Sequence, residues 1–320
     1  MTFLVSLEHA TAALWQADPV TDDLALDGAL KQLSMLRQAQ HGGKRVPHKP
    51  LLVLLALGRF TETGSSAVPW SMAQIRLADL IAEFAPPSRT RPRQSAAYPF
   101  TRLRTDEVWV LDRDVPDDLL RPLDRESPTG QLSDNIEDAL RTPGGVDAVA
   151  RDLIESHFPM TVGRDVLVAV GLDPDEVYAS RMAPGGAERP RRSASWPSQI
   201  LTAWDNQCAF CGYDGHLGSA AVGLEAAHVR WFNLGGPDAF DNGLALCSLH
   251  HKLFDRGALG LDPEHRVVVS RHFTARTEAA KRTYELHGHE LQPRRGTPLP
   301  AFKHTAWHVR EVFKGEPLTT

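Results

Sequence analysis

The chain contains only three cysteines, and together with one histidine they fall into two hooks of the same form. Cys208 and Cys211 flank two residues, and Cys247 and His250 flank two more. Four soft or borderline donors in two such pairs have the spacing of a tetrahedral zinc site. Each hook is a tight turn that presents two donors to one ion, so the long segment between the hooks must fold back on itself. A closed ligand set of this kind implies a structural zinc. The competing reading is that buried cysteines and a surface histidine share this spacing by accident, yet no cysteine is left over outside the pattern.

A second series lies inside and just beyond that segment. His228 ends the strand-like run LEAAHV, Asn242 follows a Gly-Gly-Pro loop, and His251 comes directly after His250. This histidine–asparagine–histidine order resembles the HNH, or ββα-metal, nucleases. The resemblance implies that His228 is the general base, that Asn242 holds the strand carrying it, and that His251 binds a catalytic divalent ion, magnesium or manganese. The chemistry suits those groups. Water attacks a phosphodiester only if one group removes a proton and another neutralises charge at the phosphorus centre and the departing oxygen. A neutral imidazole does the first, and a divalent ion with open positions does the second.

The chain departs from the family at Ala227, where many members carry a further metal ligand. The first candidate for a second ligand is Asp255, since HHKLFD reads as a helix and residues four apart share a face. Its alternative role is that of a helix-end residue ahead of Arg256 and Gly257. Glu225 is the runner-up, although strand alternation would have to be broken to aim it beside His228.

With 320 residues, 42% hydrophobic and 23% charged, the chain can bury two ordinary cores. A net charge of −5 excludes a general polycation, so any contact with nucleic acid must come from local basic patches. The first residues lack a basic leader, no run is long enough to span a membrane, and metal-committed cysteines suit a reducing compartment. A cytoplasmic protein is therefore expected.

Along the chain, residues 27–40 read as an amphipathic helix broken by Gly42 and Gly43. Pro50 then opens LLVLLALGRF, a run apolar on nearly every side that should be the buried spine of a first domain. Residues 71–84 form an expected second amphipathic helix that turns Ile75, Leu80, Ile81 and Phe84 toward the spine and stops at Pro86 and Pro87. SRTRPRQSAAYPF reads as a basic loop, and TRLRTDEVWVLD as a strand with Val108 and Val110 on one face. Helices are expected at SDNIEDALR, with Ser133 as cap, at GVDAVARDLIESHFP, and at MTVGRDVLVAVG, ending near Gly171. Residues 181–197, rich in Gly, Pro, Ser and Arg, read as a linker. HRVVVSRHF then reads as a strand and TAWHVREVFKG as a closing helix.

The fragments PHKPLLVLLALGRF, AAYPFTRLR and DLIESHFP, in that order, resemble the sulfur-binding module of phosphorothioate-dependent restriction endonucleases, which pair it with a C-terminal HNH domain. The resemblance implies that Tyr98 and Pro99 line an apolar cavity for the sulfur and that His48 and Lys49 lie beside the phosphate. Arg89, Arg91, Arg93 and Arg102 are the candidates for the remaining DNA contacts, against the alternative of a solvated basic loop. Tyr98 could equally be a core aromatic, and His48 a helix-start residue.

The expectation is thus an α+β protein of two domains. Residues 1–180 form a mainly helical sulfur-binding domain, 181–197 a linker, and 198–320 a zinc-containing ββα-metal domain. It would bind double-stranded DNA carrying a backbone phosphorothioate and cut near it. One HNH site cuts one strand, so cleavage of both requires two protomers or two visits, and a homodimer is one expected form. The alternatives are a nuclease directed by a methylated base, or an inactive zinc-stabilised DNA-binding protein.

Overall fold

Helix α2 explains the first domain. In the computed structural model, which describes residues 19–319 except 38, 39, 42, 43, 46, 87, 89, 180–192 and 292, nine consecutive residues of this helix, from Pro50 to Gly58, are buried. A helix apolar all round must be enclosed by other elements. In chain order the domain opens with α1 (Pro19–Ser34), the β1 and β2 pair (Gln40–His41, Lys44–Arg45), α2 (His48–Thr63), β3 (Val68–Pro69), α3 (Trp70–Phe84) and α4 (Pro92–Arg102), of which α3 and α4 pack on α2. After these come β4 (Trp109–Leu111), α5 (Leu120–Glu126), β5 (Thr129–Leu132), α6 (Asp134–Arg141), α7 (Gly145–His157), α8 (Met160–Val170) and α9 (Pro174–Ala179).

Gly64, at φ 75°, ends α2 with its N–H on the Phe60 carbonyl. At Gly58 the helix passes so close to the end of α8 that an added Cβ would stand 1.8 Å from the Val170 carbonyl oxygen. Any side chain there would push the two helices apart.

Several expected elements shift. The first helix runs over Pro19–Ser34 rather than 27–40, and Gly42 and Gly43 lie outside the described residues. In α3 the buried stripe is Ala73, Leu77, Leu80, Ile81 and Phe84, while Ile75 is 60% exposed. Ile75 lies two residues, roughly 200°, from Leu77 around the helix and cannot share its face. The expected basic loop is largely α4: Pro92 starts it, Pro99 sits within it, and Ala96, Ala97 and Phe100 are buried. Proline at the first helical position favours a helix start, and three buried apolar groups outweigh the reading of two prolines as breakers.

The expected strand over TRLRTDEVWVLD is confined to Trp109–Leu111, because Leu103–Asp106 is a 3₁₀ turn and Glu107 adopts φ 61°. Val108 precedes the strand and is buried, whereas Val110 is 50% exposed, so the two do not share a face. Trp109 takes the inward position, paired across from Leu132, and its indole fills the space over Gly130. The sheet order is β3-β5-β4, all antiparallel. Ser133 stands at the cap position of α6, but its hydroxyl makes no capping bond. Gly171 closes α8 in the left-handed region, as expected.

The second part begins with α10 (Trp196–Ala203), which starts inside the stretch expected to be linker; residues 180–192 of that stretch lie outside the described residues. It continues through β6 (His216–Leu217), β7 (Ala220–Ala221), β8 (Leu224–His228), β9 (Gly243–Cys247), α11 (Ser248–Asp255), β10 (Leu259–Leu261), β11 (Val267–Val269), α12 (Glu278–Glu285) and α13 (Phe302–Glu311). Strands β8 and β9 pair antiparallel, with Leu224 opposite Cys247 and His228 opposite Gly243. Their hairpin and α11 form the ββα unit. Gly243 is small because Ile200 of α10 crosses it, with an added Cβ 2.4 Å from the Ile200 Cδ1. The two parts have separate apolar cores.

The parts also touch. Asp165 on α8 holds Lys252 at 2.7 Å and Arg256 at 3.3 Å, Arg256 reaches Glu83 at 2.6 Å, and Lys314 donates to the Ala85 carbonyl. No helix among the described residues is long and apolar enough to cross a membrane.

Candidate active site and zinc centre

The four expected zinc donors converge. Their ligand atoms lie within 4.8 Å of one another, and among the described residues this is the one cluster of three or more such donors. The first hook closes because Gly212, at φ 70°, returns its N–H to the Cys208 carbonyl at 2.8 Å. The second forms where β9 meets α11: Cys247 is the helix cap and His250 lies in the first turn, its Nδ1 3.3 Å from the Cys247 sulfur and 3.5 Å from that of Cys208.

Hydrogen bonds from Cys211 and Cys247 hold the Cys208 thiol far below its usual range, and the bonds of Cys211 to Cys208 and Cys247 push the Cys211 thiol up. Burial alone would lower His250, but its bonds to the Cys208 and Cys247 sulfurs raise it to about 9. Three thiols and an imidazole at these distances suit a single dication with thiolate and nitrogen ligands.

On the opposite side of the ββα unit, His228 and His251 line one cavity of about 670 Å³, together with Glu225, Asp255 and, from the first domain, Thr161 and Arg164. His228 stacks on Trp196, ring centroids 3.8 Å apart, and its Nε2 lies 2.8 Å from Asp238 Oδ1. Asn242 is fully buried below it. Its Oδ1 accepts the Arg230 N–H at 2.8 Å, and its Nδ2 donates to the Arg230 and Pro237 carbonyls at 3.0 Å. The Gly-Gly-Pro loop is thereby fastened to the residues that leave β8. Gly236 must be glycine here, since an added Cβ would stand 1.7 Å from the Arg230 carbonyl oxygen.

His251 lies between two carboxylates: Nδ1 is 2.7 Å from Glu225 Oε2, and Nε2 is 3.2 Å from Asp255 Oδ2. Burial acts to lower this imidazole, but Asp255 and Glu225 together raise it to about 10, and the bond to His251 keeps Glu225 below the usual carboxylate range. The two acids differ in setting. The Asp255 side chain is 2% exposed, while that of Glu225 is 43% exposed. Asp255 also accepts the Trp231 indole N–H at 3.0 Å and the Thr161 hydroxyl.

Glu225, the runner-up as second ligand, reaches His251 from β8 across to α11. It also lines the same cavity as His228, three residues on, where strict alternation would put the two on opposite faces. Sequence reading missed Asp238 as the partner of His228, Trp196 as its stacking platform, and Thr161. For Asp238 the flanking Gly-Gly-Pro loop was the available signal, and for the others there was none.

The reader candidates sit at the start of α2 and along α4, which pack together. His48 Nε2 is sealed from solvent without a partner among the described residues, and burial lowers the imidazole to about 4, so the ring is neutral near pH 7. Lys49 is paired with Asp106. Tyr98 is half-buried and Pro99 buried, and the Arg102 guanidinium stands 5.5 Å from the centre of the Tyr98 ring. Arg93 is bound to Asp124 and Arg102 to Asp118, Arg91 is exposed at the start of α4, and Arg89 lies outside the described residues.

A ββα unit with two cavity-lining histidines, beside a Cys₃His centre and docked on a helical domain, defines the class: an HNH endonuclease, a DNA-cleaving hydrolase with an attached DNA-binding domain. Residues 208–262 match the HNH endonuclease family. Residues 27–175 match the family described as the ScoMcrA-like DNA sulfur-binding domain, so the chain joins a domain of that family to an HNH endonuclease domain. Among solved structures, it is similar to the sulfur binding domain of SprMcrA complexed with phosphorothioated DNA, at 22% identity over 47% of this chain and 96% of that one, TM-score 0.40. It is also similar to the modification dependent TagI restriction endonuclease, at 26% identity over 38% of each chain, TM-score 0.28. A third is the Type IV phosphorothioation-dependent restriction endonuclease ScoMcrA, at 13% identity over 70% of this chain and 83% of that one, TM-score 0.36. Comparison with curated proteins gives no match.

Proposed function

We propose that the chain is a modification-dependent restriction endonuclease that docks on phosphorothioate-modified double-stranded DNA through its N-terminal domain and hydrolyses a nearby phosphodiester with its HNH domain. The observation that carries the catalytic half is that His228 and His251 face one cavity from different elements, each with a carboxylate partner.

Asp238 accepts the Nε2–H of His228, which fixes the tautomer whose Nδ1 is the basic nitrogen, and that atom takes the proton from the attacking water. Trp196 keeps the ring from turning, and Asn242 keeps the following loop in place, so the base is positioned before DNA arrives. Glu225 and His251 would hold the divalent ion, magnesium or manganese, which supplies positive charge to the phosphate and to the departing oxygen. Glu225 is preferred over Asp255 because it is open to the cavity. Asp255 is enclosed and serves to orient the His251 ring, a common arrangement behind a metal-bound histidine. Cys208, Cys211, Cys247 and His250 would hold a structural zinc.

In the reader, a sulfur in place of an outer phosphate oxygen keeps the charge but accepts hydrogen bonds weakly. An apolar surface lined by Tyr98 and Pro99 would therefore desolvate it at lower cost than oxygen. Arg91, Arg93 and Arg102 would meet phosphates once DNA displaces the acids that hold Arg93 and Arg102; Arg89, two residues before Arg91 in sequence, is the fourth candidate. Lys49 and the neutral His48 act at the base of that surface by holding the start of α2. The stacking of Trp196 on His228 favours assigning α10 to the nuclease, so that a linker after residue 180 ends by residue 195.

The test is cleavage of matched duplexes with and without one backbone sulfur, in magnesium or manganese, with a methylated duplex as competitor. The sulfur-bearing duplex should be cut preferentially. His228→Ala should lower the cleavage rate by about 10²–10⁴-fold, the usual range for a general base, with binding of the modified duplex unchanged. Equal cutting of all duplexes would remove the sulfur reading, and competition by the methylated duplex alone would replace it with a base reader. A solution mass of the DNA complex at twice the expected protein content would support a homodimer.

A further inference from the structure

Three parts of the chain meet on the carboxylate of Asp255, which is 4% exposed. Its Oδ1 accepts the indole N–H of Trp231, from the segment that leaves β8 after His228. Its Oδ2 faces His251 Nε2 at 3.2 Å and also accepts the hydroxyl of Thr161, which belongs to α8 of the N-terminal domain. The same helix is tied to α11 one turn further on, where Asp165 holds Lys252 and Arg256. The segment that follows the base is fastened to the N-terminal domain as well, since Asn233 donates to the Phe158 carbonyl at 2.7 Å. Two donors share Oδ2 of this buried carboxylate, so without the Thr161 hydroxyl that oxygen keeps only the longer contact to His251 Nε2 and one of its acceptor positions is left desolvated.

We propose that Thr161 is a positioning residue of the nuclease site: its hydroxyl sets the Asp255 oxygen that receives His251 Nε2–H, so the His251 end of the cavity is complete only while α8 is docked on α11. The DNA-reading domain thus builds part of the cutting site instead of only delivering substrate to it. A shift of α8 when DNA binds would be felt directly at Asp255. The inference rests on the reading of Glu225 and His251 as the divalent-cation site.

The experiment uses the full-length, zinc-loaded chain with manganese as the probe. Mn²⁺ affinity is measured by calorimetric titration, and cleavage of sulfur-bearing duplex by kcat and KM, for wild type, Thr161→Val, Thr161→Ser, Asp165→Asn and His251→Ala. Residues behind a metal ligand commonly change affinity or activity by about 10–100-fold. Thr161→Val should accordingly weaken Mn²⁺ binding and lower kcat by about 10-fold, with KM and the affinity for modified DNA unchanged. Thr161→Ser, which restores the hydroxyl, should recover most of both. Asp165→Asn, which loosens docking without touching Asp255, should move Mn²⁺ affinity in the same direction. Wild-type affinity and kcat in Thr161→Val would overturn the inference alone, as would a serine variant no better than valine. If His251→Ala leaves Mn²⁺ binding intact, the assignment of the cation site fails first, and this inference with it.

Discussion

The two domains hold their shape by different means. The N-terminal domain is organised by α2, where Leu51, Leu52, Val53, Leu54, Ala56 and Leu57 have no solvent exposure. The nuclease domain has short strands, two-residue to five-residue ladders, and a Cys₃His cluster that fastens β9 and α11 to the turn at Cys208. One core is distributed over many side chains, so no single contact dominates it. The other adds to its own apolar core a single point at which four donors would share one ion. A single loss should therefore have graded consequences in the first domain and near-complete ones in the second.

Removing the proposed zinc should have the largest effect. Structural zinc contributes on the order of 10 kcal/mol in small zinc-folded units, so a strong chelator, or Cys247→Ala, should unfold the ββα unit and abolish cleavage. The helical signal of the N-terminal domain and its binding of modified DNA should persist. Circular dichroism and a DNA-binding assay on the same sample check this, and simultaneous loss of both domains would mean that their docking, not the metal, dominates.

Leu54→Ala should come next, at about 2–5 kcal/mol for a buried leucine truncated in a packed core. Denaturant unfolding should show the loss in the N-terminal transition. Zinc content should be unchanged. A parallel loss of zinc would sharpen the comparison by showing that the Asp165 and Thr161 contacts couple the two folds.

The smallest effect concerns pH, and here the domains should behave alike. Burial lowers an imidazole in each domain to about 4, that of His48 in the first and that of His308 in the second. A group whose folded value lies below its unfolded value near 6.5 adds stability that is full above 6.5 and is lost as the pH falls toward 4. Melting temperatures from pH 7 down to 4.5 should fall for the wild type, and His48→Leu should flatten the N-terminal part of that decline. An unchanged slope in the variant would remove His48 from the account.

Legibility followed from how local each feature is. The zinc hooks, the order His228–Asn242–His251, the spine of α2 and the glycine stop at Gly171 were readable because each depends on spacing within a turn or on a run of one residue type. The reading failed where packing overrode local pattern. A series of arginines among small residues looked like a basic loop, yet α4 forms because Ala96, Ala97 and Phe100 are buried against α2 and α3. Val108 and Val110 were expected on one face, but Val110 is exposed and Trp109 takes the inward position because Gly130 across the sheet leaves room for its ring.

The sequence by itself singled out the four donors of the hooks and the series His228–Asn242–His251, since donor type and short-range spacing are fixed by covalent order. The tertiary structure alone decided their company. Glu225 meets His251 across β8 and α11, and Asp238 meets His228 across a folded loop. Thr161 reaches Asp255 from another domain. Such partners are far apart along the chain and share no period or motif, because what joins them is the docking of two separately folded cores.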